Sequence, residues 1–163
     1  MSHEERSYKI FEGLQPDFRE RVIRWYEECK AEGLKLLVYC GYRSSEDQDN
    51  LYKIGRGDGK KIVTNAKGGQ SFHNYARAID FVPVKDGQTA WDDTATYLKA
   101  QRIAKEFGLR ALSWELPHLE DSNYADWHEL AVAFPHNAPK TLSSPILEPK
   151  KATGKGVGGR GLR

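Results

Sequence analysis

The stretch SFHNYARAID places a histidine, His73, seven residues before an aspartate, Asp80. A catalytic zinc site needs three nitrogen, oxygen or sulfur ligands and one open position for water, and this pair supplies two ligands. The small residues Ala76 and Ala78 leave room beside them. Alone, the pair is a weak signal, because a surface histidine near a turn and an aspartate in a half-buried strand give the same pattern.

A second pair lies in ELPH, where Glu115 precedes His118 by three residues. In a straight strand an odd separation points two side chains to opposite faces, so both reach one site only if the backbone bends. Pro117 favours such a bend. The alternative is a solvated glutamate beside a histidine that packs across strands.

Together these residues suit metal-assisted hydrolysis. Two neutral imidazoles and one carboxylate leave Zn²⁺ with a net positive charge, which acidifies a bound water. A carboxylate that does not bind the metal can accept the proton of that water. A rival ligand is His128 in DWHEL, which has Asp126 and Glu129 beside it.

Local patterns predict the elements that would carry these residues. The apolar spacing from Pro16 to Cys29 predicts a helix that stops at Gly33, and the run 34–40 predicts a buried strand. Ser44, with Asp47 three residues later, resembles a capping box and starts a helix. The segment GYRS, residues 41–44, therefore lies at a strand-to-helix junction.

Further along, residues 55–70 contain five glycines and four basic residues and predict a mobile surface loop. Residues 78–84 predict a strand from which Asp80 projects, and residues 93–107 predict a second amphipathic helix closed by Gly108. We expect one folded domain over residues 1–138 and a flexible basic tail rich in glycine and lysine over residues 139–163.

Composition narrows the class of protein. The chain has 163 residues, 39% of them hydrophobic, and no run of apolar residues long enough to span a membrane. The polar start MSHEERSYKI lacks the pattern of a secretory signal, so synthesis in a cytoplasm without a signal peptide is expected. Cys29 and Cys40 have no metal-binding spacing and predict buried thiols.

Charge is distributed unevenly along the chain. Five of the 25 basic residues follow Pro149 and no acidic residue does, so the preceding part holds 20 basic against 23 acidic residues, a net charge of −3. No specific nucleic-acid partner is expected from such a body. The basic tail could bind an anionic envelope surface, or nucleic acid, through its alternating charges and glycines.

Three blocks of the chain resemble a known family, the zinc DD- and LD-carboxypeptidases and endopeptidases of bacterial cell walls. GYRS at 41–44 resembles its arginine motif, SFHNYARAID at 71–80 its SxHxxGxAxD metal block, and ELPH at 115–118 its acidic-x-x-His block. The order and approximate spacing also fit. The family includes vancomycin-resistance D-Ala-D-Ala carboxypeptidases and bacteriophage L-alanyl-D-glutamate endolysins.

The resemblance implies a role for each matching residue. His73, Asp80 and His118 would bind one Zn²⁺, and Glu115 would be the general base. Arg43 would contact substrate or stabilise the oxyanion, and Ser71 would also contact the substrate. It also favours His118 over His128 as a ligand.

The chain departs from the family pattern at Ala76, where the family has glycine. An alanine there is harmless at negative φ and strained in the left-handed region, and we expect activity to survive. The implied fold is α+β, a small and mostly antiparallel sheet with helices packed on one side and the zinc in an open cleft.

We therefore expect a monomeric zinc metallopeptidase that cleaves the stem peptide of peptidoglycan in the cell wall, in the periplasm. The favoured activity is that of a phage L-alanyl-D-glutamate endopeptidase, or endolysin. One alternative is a D-Ala-D-Ala carboxypeptidase. Another is a binding module without catalysis, as the Hedgehog signalling domain resembles this fold.

Overall fold

The computed structural model describes residues 1–139, and residues 140–163 of the predicted basic tail lie outside the described residues. The predicted α+β class is confirmed, since the described part contains five α-helices and five strands. The helices are α1 (His3–Phe11), α2 (Pro16–Ala31), α3 (Ser45–Lys53), α4 (Thr94–Lys105) and α5 (Trp127–Ala133). The strands are β1 (Leu36–Cys40), β2 (Ala78–Lys85), β3 (Gln88–Thr89), β4 (Leu109–Leu112) and β5 (Glu115–Asp121).

These elements form two compact units. The first unit comprises Met1–Tyr42 and Ala76–Ser122, and it holds the whole sheet together with α1, α2 and α4. The described part of the second unit comprises Arg43–Tyr75 and residues 123–139, with α3 and α5.

The sheet of the first unit has the strand order β1-β2-β5-β4, and β3 pairs with the end of β2. Every pairing is antiparallel. Asp80 lies in β2 with Cys40 of β1 on one side and His118 of β5 on the other. The prediction that Asp80 projects from a central strand is therefore confirmed.

The two predicted amphipathic helices of this unit pack on one face of the sheet. The ring of Phe81 in β2 lies edge-on to Trp25 of α2 at 5.3 Å and packs against Tyr97 of α4 at 5.4 Å. The indole nitrogen of Trp25 donates to the carbonyl of Ala100, so no polar atom of that side chain is left unpaired in the core. Burying each such side chain contributes about 1.5–3 kcal/mol.

Helix α1 is a helix that the sequence patterns did not predict. Ser2 and Glu5 form a reciprocal capping box at its start. Ser7 is fully buried, and its hydroxyl accepts a hydrogen bond from the backbone N–H of Val38 in β1. His3 occupies the first turn of this helix.

A group of four charged residues, here called the ion cluster, lies inside the first unit. Asp121 is completely buried and contacts the guanidinium groups of Arg21 and Arg77, each at 2.8 Å. Arg77 also donates two hydrogen bonds to Asp17, at 2.9 and 3.0 Å. Two carboxylates and two guanidinium groups make this cluster balanced in charge.

In the second unit, Ser44 caps α3 by accepting a hydrogen bond from Asp47 N–H, as the sequence predicted. No helix or strand occurs between α3 and Gln70, in agreement with the predicted loop. The loop is only partly on the surface, because Ala66 and Gly68 are buried. The amide N–H of Gly68 donates to Asp49, which ties the loop back to α3.

Within residues 1–139, none of the helices has both the length and the apolar character needed to cross a bilayer. Both cysteines are free thiols, as expected. Cys29 is buried, whereas Cys40 is only half-buried, which corrects the prediction that both are buried.

Candidate functional site

Three predicted site residues meet in the first unit. A ligand atom from each of Asp80, Glu115 and His118 lies within 4.8 Å of the other two. Asp80 and His118 are direct cross-strand partners, so their side chains share one face of the sheet. Both are buried, and Nδ1 of His118 lies 3.3 Å from Oδ1 of Asp80.

An irregularity in β5 explains how Glu115 and His118 reach the same place. Ala111 of β4 pairs with Leu119, but the next residue, Leu112, pairs with Glu115. Three residues of β5, Leu116 to His118, therefore bulge between consecutive partners on β4. Because of this bulge, Glu115 and His118 need not point to opposite faces, as their odd separation would require in a straight strand. The bend expected around Pro117 is confirmed.

A second carboxylate supports the other edge of the His118 ring. Oε1 of Glu120 lies 2.8 Å from Nε2 of His118, and Oε2 of Glu120 lies 2.6 Å from Arg110. Burial acts to raise the pKa of Glu120, but the hydrogen bond and the charge interaction with His118, followed by the charge of Arg110 and its hydrogen bond, outweigh it and lower the pKa to about 2. Glu120 is therefore an anion at neutral pH.

Sequence reasoning missed Glu120 and Arg110. The one local signal is that Glu120 lies two residues after His118 in a strand, which places both side chains on one face. Arg110 could not be found this way, because it reaches Glu120 as its partner on β4. We call Asp80, Glu115, His118, Glu120 and Arg110 the site cluster.

Tyr39 is another neighbour that the sequence did not indicate. It is the extra residue of β1 where the register against β2 shifts, and its ring lies edge-on to Trp91 at 5.4 Å. Burial, and then the negative charges of Asp80 and Glu115 among others, raise the pKa of Tyr39 well above its usual value. Its hydroxyl therefore remains a hydrogen-bond donor at neutral pH.

The site cluster has the chemistry of a divalent cation site. It contains three carboxylates and a single guanidinium, so anions outnumber cations among its charged side chains. Two ligand atoms at zinc distances around a tetrahedral ion lie about 3.3 Å apart. The observed separation of His118 Nδ1 and Asp80 Oδ1 is 3.3 Å. These residues therefore fit a zinc ion.

The second unit holds the other predicted site residues: Arg43, Ser71 and His73. His73 is buried in a 3₁₀ turn, Phe72–Tyr75, and its carbonyl accepts a hydrogen bond from Arg43 N–H at 3.0 Å. Ser71 is also buried, and its hydroxyl accepts from His73 N–H at 3.2 Å. The structure thus links the arginine motif to the start of the metal block through the backbone. The role of Ser71 in substrate binding stays a prediction.

Gln48 orients the Arg43 side chain and was also missed. It is fully buried in α3, and its amide oxygen accepts from Arg43 Nη1 at 3.0 Å. Its amide nitrogen donates to the carbonyl of Ala66, so the amide oxygen is the atom that faces Arg43. The only sequence signal is its position one turn after the N-cap Ser44.

Ala76, which stands where the family has glycine, has a φ of 56°. It therefore lies in the left-handed region, where an alanine is strained. A non-glycine residue in the left-handed region costs about 1–3 kcal/mol. The carbonyl of Ala76 accepts a hydrogen bond from Gln15 N–H, which helps to hold that conformation.

Three further aromatic and histidine residues lie outside the site cluster. His128, the rival ligand, stacks on Trp127 with ring centroids 3.7 Å apart. Trp127 is buried, whereas Trp114 is 52% exposed.

Comparisons with known proteins add to this geometry. The profile of the VanY family, D-alanyl-D-alanine carboxypeptidase, matches residues 12–132. Over 121 residues the chain is 39% identical to the peptidoglycan L-alanyl-D-glutamate endopeptidase CwlK of Bacillus subtilis (strain 168), a match that covers 66% of this chain and 72% of CwlK.

Two solved structures have a similar fold. The LD-carboxypeptidase LdcB aligns with a TM-score of 0.56 and 21% identity, over 67% of this chain and 59% of the LdcB chain. A zinc complex of the vancomycin-resistance D,D-pentapeptidase VanY aligns with a TM-score of 0.55 and 17% identity, over 67% of this chain and 72% of that one. At these identities the likeness shows the fold alone, and this chain spans less than two thirds of LdcB.

Proposed function

The chain belongs to the VanY family of D-alanyl-D-alanine carboxypeptidases, and from this membership we propose that it is a zinc-dependent hydrolase of the peptidoglycan stem peptide. The observation that carries the proposal is the convergence of Asp80, Glu115 and His118 in the first unit. A carboxylate and an imidazole are ligands that zinc prefers, and a further carboxylate beside them suits a general base.

The proposed ligands are His73, Asp80 and His118. Asp80 and His118 are supported by their measured separation. His73 is supported by its place in the block SFHNYARAID, which matches the family's metal block at every specified position except Ala76. Zinc held there would supply Lewis acidity, polarising the scissile carbonyl and acidifying the attacking water.

Glu115 is proposed as the general base. Its carboxylate would accept a proton from the attacking water and return it to the amine that leaves. The bulge in β5 puts Glu115 close to Asp80 and His118 while leaving it half-buried, so that it can exchange protons with a bound substrate. Retention of this residue argues against a binding module that lacks catalysis.

Arg43 is proposed to bind a substrate carboxylate or the oxyanion. Its guanidinium is half-buried and held by Gln48, so its donors are oriented before substrate arrives. A preorganised cation of this kind stabilises negative charge that develops during the reaction. Ser71 is proposed as a second substrate contact from the same unit.

The bond between L-Ala and D-Glu is the proposed cleavage site. The 39% identity to CwlK, an L-alanyl-D-glutamate endopeptidase, supports this choice. Cleavage of the terminal D-Ala-D-Ala bond is the second candidate, because the matching family profile is that of a D-alanyl-D-alanine carboxypeptidase.

Digestion of purified sacculi, with mass spectrometry of the products, tests both candidates. We expect new D-Glu amino termini and no free D-Ala. Release of D-Ala instead would assign the carboxypeptidase reaction. A chelator should stop the reaction, and added zinc should restore it.

The control is Glu106→Gln, which changes an exposed glutamate outside the site cluster and should digest like the wild type. Sacculi left intact by the folded, zinc-loaded wild type would contradict the proposed hydrolysis and favour a binding module.

We also propose that the protein acts at the cell wall, where its substrate lies. An endolysin role further requires that the protein lyse cells once it reaches that compartment. Expression together with a holin, followed by culture turbidity, tests this: turbidity should fall with the wild type and stay constant with Glu115→Gln.

A further inference from the structure

The ring of His118 lies between two carboxylates of the first unit. Nε2 is 2.8 Å from Oε1 of Glu120, and Nδ1 is 3.3 Å from Oδ1 of Asp80. His118 is 1% exposed and Glu120 is 4% exposed, so water does not compete strongly for either contact. The two ring nitrogens therefore have distinct environments.

Glu120 is itself held by Arg110. The two residues are direct partners across β4 and β5, and Oε2 of Glu120 accepts from Nη2 of Arg110 at 2.6 Å and from Nε at 3.2 Å. Arg110 can only donate hydrogen bonds, so the carboxyl group of Glu120 accepts both of them through Oε2. Its other oxygen, Oε1, is consequently aimed at His118 as an acceptor.

The contacts decide which ring nitrogen carries the proton. A neutral imidazole has one N–H, and 2.8 Å is an ordinary hydrogen-bond length, whereas 3.3 Å is long for a charge-assisted one. The proton therefore belongs on Nε2. Nδ1 then presents its lone pair toward Asp80.

We propose that Glu120 is a positioning residue that fixes the His118 tautomer, so that Nδ1 is the atom offered to the metal, and that Arg110 holds Glu120 in place. The inference rests on the proposed role of His118 as a ligand. Acceptors behind metal-binding histidines typically change metal affinity by about 10–100-fold.

The tautomer can be read directly in the unmodified protein. Two-bond ¹H–¹⁵N correlation spectra of ¹⁵N-histidine-labelled protein, metal-free at pH 8 and zinc-loaded, should show a protonated Nε2 for His118. The His118→Gln spectrum assigns the signals. A proton on Nδ1, or on both nitrogens, would overturn the proposal even if every variant failed to fold.

Zinc affinity gives the second readout. Competition with a chromophoric chelator should show a zinc dissociation constant raised about 10–100-fold in Glu120→Ala. Arg110→Gln should raise it by a smaller factor, because Glu120 remains but loses its anchor. Glu106→Gln serves as the matched control and should bind zinc like the wild type.

Circular dichroism and thermal unfolding of each variant show that it is folded before affinity is compared. Affinity within twofold of wild type in folded Glu120→Ala would overturn the proposal. A wild type that binds zinc through Nδ1 but leaves sacculi intact would support this inference and remove the proposed function, so the two failures are distinguishable.

Discussion

The first unit holds two polar clusters that differ in their balance of charge. The ion cluster pairs Asp17 and Asp121 with two arginines. The site cluster sets three carboxylates around one imidazole and one arginine. Like charges brought together in a buried place disfavour one another. The arginines of the ion cluster already neutralise its carboxylates, whereas the excess of carboxylates in the site cluster suits a bound cation.

The largest expected effect is a loss of catalytic rate, without a matching loss of stability, when a residue of the site cluster is changed. Glu115→Gln should lower the rate of sacculus hydrolysis by about 10²–10⁴-fold, because the amide cannot accept the proton. Its free energy of unfolding should change by no more than about 0.5 kcal/mol. Product release and urea unfolding measure the two effects, and a rate close to wild type would remove Glu115 from the mechanism.

The ion cluster should respond in the opposite way. Asp121→Ala should lower the free energy of unfolding by about 3–5 kcal/mol, because two arginines lose their buried partner. The zinc affinity of the molecules that remain folded should be unchanged. Urea unfolding and chelator competition check this, and a weakened zinc affinity would show that the two clusters are coupled.

Added zinc distinguishes the two clusters, because it should stabilise the folded protein only by binding to the site cluster. At a free zinc concentration about 100 times the dissociation constant, the free energy of unfolding should rise by about 2.7 kcal/mol. Thermal or urea unfolding with and without zinc measures this rise. His118→Ala should lose the increment and Asp121→Ala should keep it. An equal rise in His118→Ala would place the zinc elsewhere.

The smallest effect concerns the exposed edge of the ion cluster. The hydrogen bond from Arg77 lowers the pKa of Asp17 below its ordinary value of 3.8. The stabilisation by Asp17 is therefore complete above pH 3.8 and is lost as the pH falls through the lower folded value.

Urea unfolding of wild type and Asp17→Asn measures this contribution. Because the Asp17 side chain is 61% exposed, the difference at neutral pH should be at most about 1 kcal/mol. It should shrink as the pH is lowered below 3.8, and a difference that grows there would contradict the assigned direction.

The elements near the site were predictable where their signals are local. Helices α2 and α4 follow from apolar spacing, and the start of α3 follows from Ser44 and Asp47. Helix α1 was missed because it is short and rich in charged residues and buries only Ser7 and Phe11, and it is held by the buried Ser7 contact with β1.

The sequence by itself determined which residue types are present and in what motif order: His73, Asp80, Glu115 and His118, with Arg43 upstream. Caps, strand alternation and short motifs depend on neighbours a few residues apart, so they can be read from the chain. Pro117 favoured a bend, but tertiary structure alone decided the register of the bulge that turns Glu115 toward His118, and the left-handed backbone at Ala76. It also decided the contact of Arg110 with Glu120 behind the His118 ring, because such pairings across strands depend on register and on residues far apart in sequence.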